Sequence, residues 1–190
     1  MNLPNKLTLT RIFLIPVFVV IFFLKILPSN FIFSAVIFAI ASATDFLDGY
    51  IARKYNLVTN LGKFLDPIAD KILVSTALII MLAPIEDGIS ILPWYASIAV
   101  AIILARELMV SGFRIIASSK GTVLAADKAG KIKTFCQDIA ILVLLVGADV
   151  NIKPYSVMNL IGLCILGLAT VLTVVSGAEC IIKNKSVLKD

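Results

Sequence analysis

The sequence predicts an all-α integral membrane protein with six transmembrane helices. Three observations lead there. Apolar residues fill 60% of the 190 positions and charged residues only 15%, against ~45–50% and ~25% in soluble domains. Mean hydropathy is +1.05. The apolar residues also fall in runs of about twenty, the length of a helix that crosses a bilayer's hydrocarbon core. This excludes a soluble enzyme, a disordered tail and a secreted disulfide scaffold.

The spans follow in order along one domain, 1–190. The first, roughly 9–27, has a basic start. Lys25-Ile26-Leu27-Pro28 is no small-residue cleavage site, so the span is expected to stay uncleaved. Pro28-Ser29-Asn30 turns the chain into the second, roughly 31–52. Asn56 to Asn60 leads to the third, roughly 64–83. Pro84 to Gly88 precedes the fourth, roughly 91–117, and Gly121 punctuates the loop before the fifth, roughly 133–148. Asn151 to Pro154 leads into the sixth, roughly 155–182. Backbone polar groups cannot go unpaired in lipid, and the runs lack barrel-strand alternation, so each is a helix.

Charge gives the orientation. With the N-terminus cytoplasmic, one side of the membrane receives all but Lys25 and Lys153 of the 17 lysines and arginines. Both termini are therefore expected in the cytoplasm, and the net charge of +5 is a positive-inside bias that needs no nucleic acid. The expected location is the cell membrane, with a site facing the cytoplasm. Cys136, Cys164 and Cys180 lie in apolar runs without a CxxC pair and read as small hydrophobes in helices. There is no histidine. That removes a Ser-His-Asp triad, a His-activated thiol, a His-ligated zinc and a histidine nucleophile.

Four aspartates lie at an unusual depth. Asp45 falls roughly 20 Å into the second span, counted from the outside at ~1.5 Å per residue. Counting back from Ala83 puts Asp70 at nearly the same level, with Asp48 level with Asp66. Spacings of three and four place each pair on one helix face, and the short 54–61 loop makes the two helices antiparallel neighbours. Singly, each aspartate has another account: Asp66 ahead of Pro67 can cap a helix, Asp70 can pair with a nearby lysine such as Lys71 of a neighbouring subunit, and Asp45 and Asp48 can be a frayed cytoplasmic helix end. Together, four carboxylates in low dielectric would repel or take up protons. Divalent cations resolve this, and oxygen-only ligands favour Mg²⁺, Mn²⁺ or Ca²⁺ over zinc. Two such ions match a two-metal phosphoryl-transfer site.

Asp45-x2-Asp48-Gly49-x2-Ala52-Arg53-x8-Gly62-x3-Asp66-x3-Asp70 resembles the CDP-alcohol phosphotransferase signature at every fixed position. A chance match is about 10⁻⁹ or rarer per starting position at average residue usage. The resemblance implies the fold of that family and an integral membrane enzyme, a homodimer, that moves a phosphatidyl group from a CDP-linked lipid onto an alcohol and releases CMP. It implies that Asp45, Asp48, Asp66 and Asp70 bind two Mg²⁺ or Mn²⁺ ions. Asp70 would also be the general base, and Gly49, Ala52, Arg53 and Gly62 would shape the CDP pocket.

The acceptor is read from the rest of the chain. Arg106, Glu107 and Arg114 lie in the cytoplasmic half of the fourth span, with Glu107, Ser111 and Arg114 on one stripe. The fifth span must draw in Lys133, Thr134, Gln137 and Asp138, which should face the bundle interior. Cations from two helices towards the aspartates suit an anionic acceptor such as an alcohol phosphate. Residues 2–11, 105–114 and 131–137 resemble the bacterial branch of the family whose acceptor is sn-glycerol 3-phosphate and whose donor is CDP-diacylglycerol. That resemblance implies acceptor-phosphate contacts from Arg106, Arg114, Lys131 and Lys133, and a nucleotide side lined by Thr8, Thr10 and Arg11. Rival readings are another acceptor, inositol phosphate or phosphatidylglycerol, and a cation- or proton-coupled transporter. No acidic site opening outward matches the inner one, which argues against transport.

Overall fold

The computed structural model describes residues 3–24, 29–54, 60–85, 88–119, 128–150 and 156–184. Inside the helices, the side chains at 3–5, 45–53, 60–64, 66, 67, 119, 128 and 129 are outside that description. The regular elements among the described residues are six helices: α1 (Leu3–Phe23), α2 (Asn30–Lys54), α3 (Asn60–Ile80), α4 (Ala96–Ser119), α5 (Lys128–Val150) and α6 (Val157–Lys183).

Three of them, α1, α4 and α6, are long and apolar enough to cross a membrane. Among its described side chains, helix α2 is apolar over Asn30–Thr44. Apolar side chains such as Phe13, Leu108, Ile115 and Val171 stand exposed. Water would not tolerate that much outward apolar surface, whereas lipid matches it. The protein is a membrane protein.

The fourth span begins later than the apolar run suggests. Pro93 lacks an N–H, and Leu92 N donates instead to Met81 O at 2.9 Å. Ile91 and Leu92 are fully buried in this turn and plug the bundle end, and α4 starts only at Ala96. Helices α3 and α5 begin several residues before their apolar runs do, since helix continues through the charged residues ahead of them. At α6, Ser156 Oγ accepts from Asn159 N and caps the first turn.

Packing follows small residues and aromatic layers. Arg11 meets Ala41, Phe18 meets Phe38 at 6.0 Å between ring centroids, and Phe22 meets Phe31 at 5.4 Å. These pairs make α1 and α2 antiparallel. Helices α5 and α6 are antiparallel too: Gly147 lies against Asn159, and Gly162 against Leu144. A Cβ on Gly162 would come 2.6 Å from Leu144 Cγ, so glycine is what lets these two backbones close. Helix α4 packs on α6, α2 on α5, and α3 mainly on α1. Buried polar contacts gather where α1, α3 and α5 begin and α2, α4 and α6 end. The opposite end is filled mainly by Phe18, Phe22, Phe31, Met81, Ile91 and Leu92, with Ser34 and Asn159 also buried there.

Candidate active site

One small cleft opens between α3, α4 and α5. Helix α3 contributes Asp70, Lys71, Val74 and Ser75, α4 contributes Ile103 and Glu107, and α5 contributes Lys133, Thr134 and Gln137. Spacings of three and four on each helix explain the set, since such residues share a face. The cleft thus carries carboxylates and ammonium groups side by side within an apolar bundle.

The α5 wall is the most enclosed. Lys133 is 4% exposed and donates to Glu107 Oε1. Arg106 Nη1 reaches the same oxygen at 3.4 Å, while Nη2 donates to Ser176 Oγ on α6 at 2.9 Å. The arginine stem lies over Gly177, where a Cβ would come 3.0 Å from Arg106 Cγ. Glu107 therefore ties α4 to α5, and Arg106 ties α4 to α6. Its neighbour Ser111 donates back to Glu107 O within the helix. Gln137 is 2% exposed, and its Oε1 is buried without a partner. One residue on, Asp138 Oδ2 accepts from Ser42 Oγ of α2 at 2.9 Å. Arg11 is fully buried, with Nε donating to Ala41 O at 3.1 Å and 3.4 Å from Thr44 Oγ1. These contacts fix the part of α2 that leads into the aspartate segment.

Of the residues singled out from the sequence, the structure brings Asp70 and Lys133 to the cleft, with Arg106 at its back facing α6. Arg114 and Lys131 are exposed and do not line it. Thr8 is fully buried, whereas Thr10 is exposed and donates to Lys6 O of its own helix. Asp45, Asp48, Gly49, Ala52 and Arg53 belong to α2, and Gly62 and Asp66 to α3, but their side chains lie outside the described residues. Lys71, Ser75, Glu107 and Gln137 line the cleft although no site role was read for them. Positions 71, 74 and 75 repeat at helical spacing beside Asp70, and that signal was there to be used.

Asp70 is half-buried beside these groups. Its carboxylate is a hard oxygen donor of the kind that divalent cations such as Mg²⁺ take.

A family profile for CDP-alcohol phosphatidyltransferases matches residues 1–175. The chain belongs to this family. As a CDP-alcohol phosphatidyltransferase it is a transferase, of a family generally dependent on a divalent metal. Several relatives named CDP-diacylglycerol–glycerol-3-phosphate 3-phosphatidyltransferase are similar over nearly their whole length. The one from Bacillus subtilis is 43% identical, covering 99% of this chain and 97% of the relative. That from Rickettsia typhi is 40% identical, covering 93% of each. That from Shigella flexneri serotype 5b is 35% identical, covering 90% of this chain and 88% of the relative.

Proposed function

We propose that this phosphatidyltransferase moves the phosphatidyl group of CDP-diacylglycerol onto sn-glycerol 3-phosphate, giving phosphatidylglycerophosphate and CMP. The observation that carries this reading is the cleft in which Asp70 of the signature stands with Lys71 and Lys133. A carboxylate there can take a proton, and the ammonium groups can hold an anion. Near-full-length similarity to relatives named for glycerol 3-phosphate supports the choice of acceptor.

Asp45, Asp48, Asp66 and Asp70 would hold two Mg²⁺ or Mn²⁺ ions. When bound, these ions would neutralise negative charge on the diphosphate and on the departing CMP. Asp70 orients the acceptor's primary hydroxyl and takes its proton as the oxygen attacks the phosphorus that bears the diacylglycerol. A new P–O bond forms, the P–O bond to CMP breaks, and CMP leaves with those electrons. No side-chain nucleophile stands out, so in this reading the acceptor hydroxyl attacks directly. Gly49, Ala52, Arg53 and Gly62 shape the nucleotide pocket, with Thr8, Thr10 and Arg11 on its side. Lys133 contacts the acceptor phosphate, Arg106 supports it through the shared Glu107 carboxylate, and Arg114 and Lys131 guide the anion at the mouth.

Six helices cross the membrane as one domain, with both termini and the site on the cytoplasmic side, as the lysine and arginine distribution favours. The working unit is a homodimer in the cell membrane. The test is CMP release by purified protein with CDP-diacylglycerol and a panel of acceptors, with and without EDTA. Glycerol 3-phosphate should be preferred over inositol phosphate, phosphatidylglycerol and serine. A preference for any of the others overturns the acceptor.

A further inference from the structure

Gln137 lies one helical turn after Lys133, in the cleft wall shared with Asp70, Lys71 and Thr134. It is 2% exposed, and its Oε1 is buried with no hydrogen-bond partner. Other polar side chains on this stretch of α5 are engaged. Lys133 pairs with Glu107, Thr134 Oγ1 donates to Gly130 O, and Asp138 accepts from Ser42. Buried amide oxygens are almost always bonded, because an unpaired one keeps the full penalty of leaving water. A leucine would fill the same place without that penalty. The amide is therefore matched to something that enters the cleft.

The chemistry of the cleft says what. An alcohol phosphate with a spare hydroxyl brings an anionic group, a reacting hydroxyl and a neutral hydroxyl that does not react. The cleft offers ammonium groups for the first and the Asp70 carboxylate for the second. The Gln137 amide is a neutral group that both donates and accepts, as a hydroxyl does. We infer that Gln137 is a specificity-determining residue that binds the non-reacting secondary hydroxyl of the acceptor and so selects a polyol phosphate over a simple alcohol phosphate. This rests on the proposed glycerol 3-phosphate reaction and adds to it a residue and a discrimination.

The experiment compares sn-glycerol 3-phosphate with 3-hydroxypropyl phosphate, which lacks only the secondary hydroxyl, in CMP release from CDP-diacylglycerol. Wild-type protein should favour glycerol 3-phosphate by roughly ten- to a hundredfold in kcat/KM, the range for one buried hydroxyl contact. Gln137→Met keeps the volume and removes the amide. It should bring the two acceptors within about twofold by lowering the glycerol 3-phosphate value alone, with KM for CDP-diacylglycerol unchanged. An unaltered ratio in the variant overturns the inference, as does equal loss on both acceptors in folded protein. If Gln137→Met does not fold, the same ratio is read on Gln137→Asn, which withdraws the amide by one methylene. A wild-type enzyme that uses neither phosphate but turns over another alcohol removes the proposed function itself, and this inference with it, before any variant is made.

Discussion

Asp70→Asn keeps the size of the side chain and removes both its charge and its basicity. We expect CMP release to fall by at least ~10²-fold while the protein still purifies as a folded species of wild-type size. Turnover at the wild-type rate would take Asp70 out of the proton-transfer role. Lys133→Ala acts differently. It should raise KM for glycerol 3-phosphate more than KM for CDP-diacylglycerol, measured at saturating co-substrate. It should also lower thermal stability, since Glu107 loses its Lys133 partner while Arg106 still reaches it, at a cost of about 1–2 kcal/mol. At this scale the sequence was legible where chemistry forces a residue type: Asp70 and Lys133 do meet in one cleft. It was less legible for Arg106. Its charge read as a phosphate contact, yet its guanidinium donates to Ser176 of α6, a residue 70 positions away that no local spacing connects to it.

Between elements, close approach governs the α5–α6 seam. Gly162→Ala would push Cβ into Leu144 Cγ at 2.6 Å, with the Leu144 backbone N 3.4 Å away, so the helices must separate. The expected loss is about 1–3 kcal/mol, visible as a lower melting temperature in detergent. Unchanged melting would mean that the seam tolerates a methyl group. A second seam joins the first two helices, where Arg11 ties α1 to Ala41 and Thr44 of α2. Arg11→Met should lower the melting temperature even with no substrate present, which separates this structural role from any contact with nucleotide. Hydropathy marked a helix at each of its six runs, and among the described residues α1, α4 and α6 have the apolar length that a bilayer demands. It misplaced the start of α4, because Ile91 and Leu92 are apolar in order to plug the bundle end and Pro93 stops them from joining the helix. Packing partners were hidden for a physical reason: which faces of two apolar helices meet depends on shape, as at Gly162, and not on polarity.

For the molecule as a whole, charge asymmetry predicts a topology that labelling can check. In a background with Cys136, Cys164 and Cys180 replaced by serine, a cysteine at Trp94, which is 82% exposed, should react with an impermeant maleimide added to intact cells. One at Lys54, exposed at the far end of α2, should react only after permeabilisation. The reverse pattern would invert the proposed orientation. Removing divalent cations with EDTA should abolish CMP release, and Mg²⁺ or Mn²⁺ should restore it. Persisting activity would remove the metals from the mechanism.

The plug formed by Met81, Ile91 and Leu92 against the phenylalanine layer has a logistical effect. Met81, Ile91 and Leu92 are fully buried there and put apolar bulk between the Asp70 cleft and the Trp94 side. In the proposed reaction, water-soluble reactant and spent nucleotide then use the cleft beside Asp70, while the greasy partner arrives sideways from the leaflet. In the proposed orientation, traffic through the enzyme is thereby kept to one face of the bilayer.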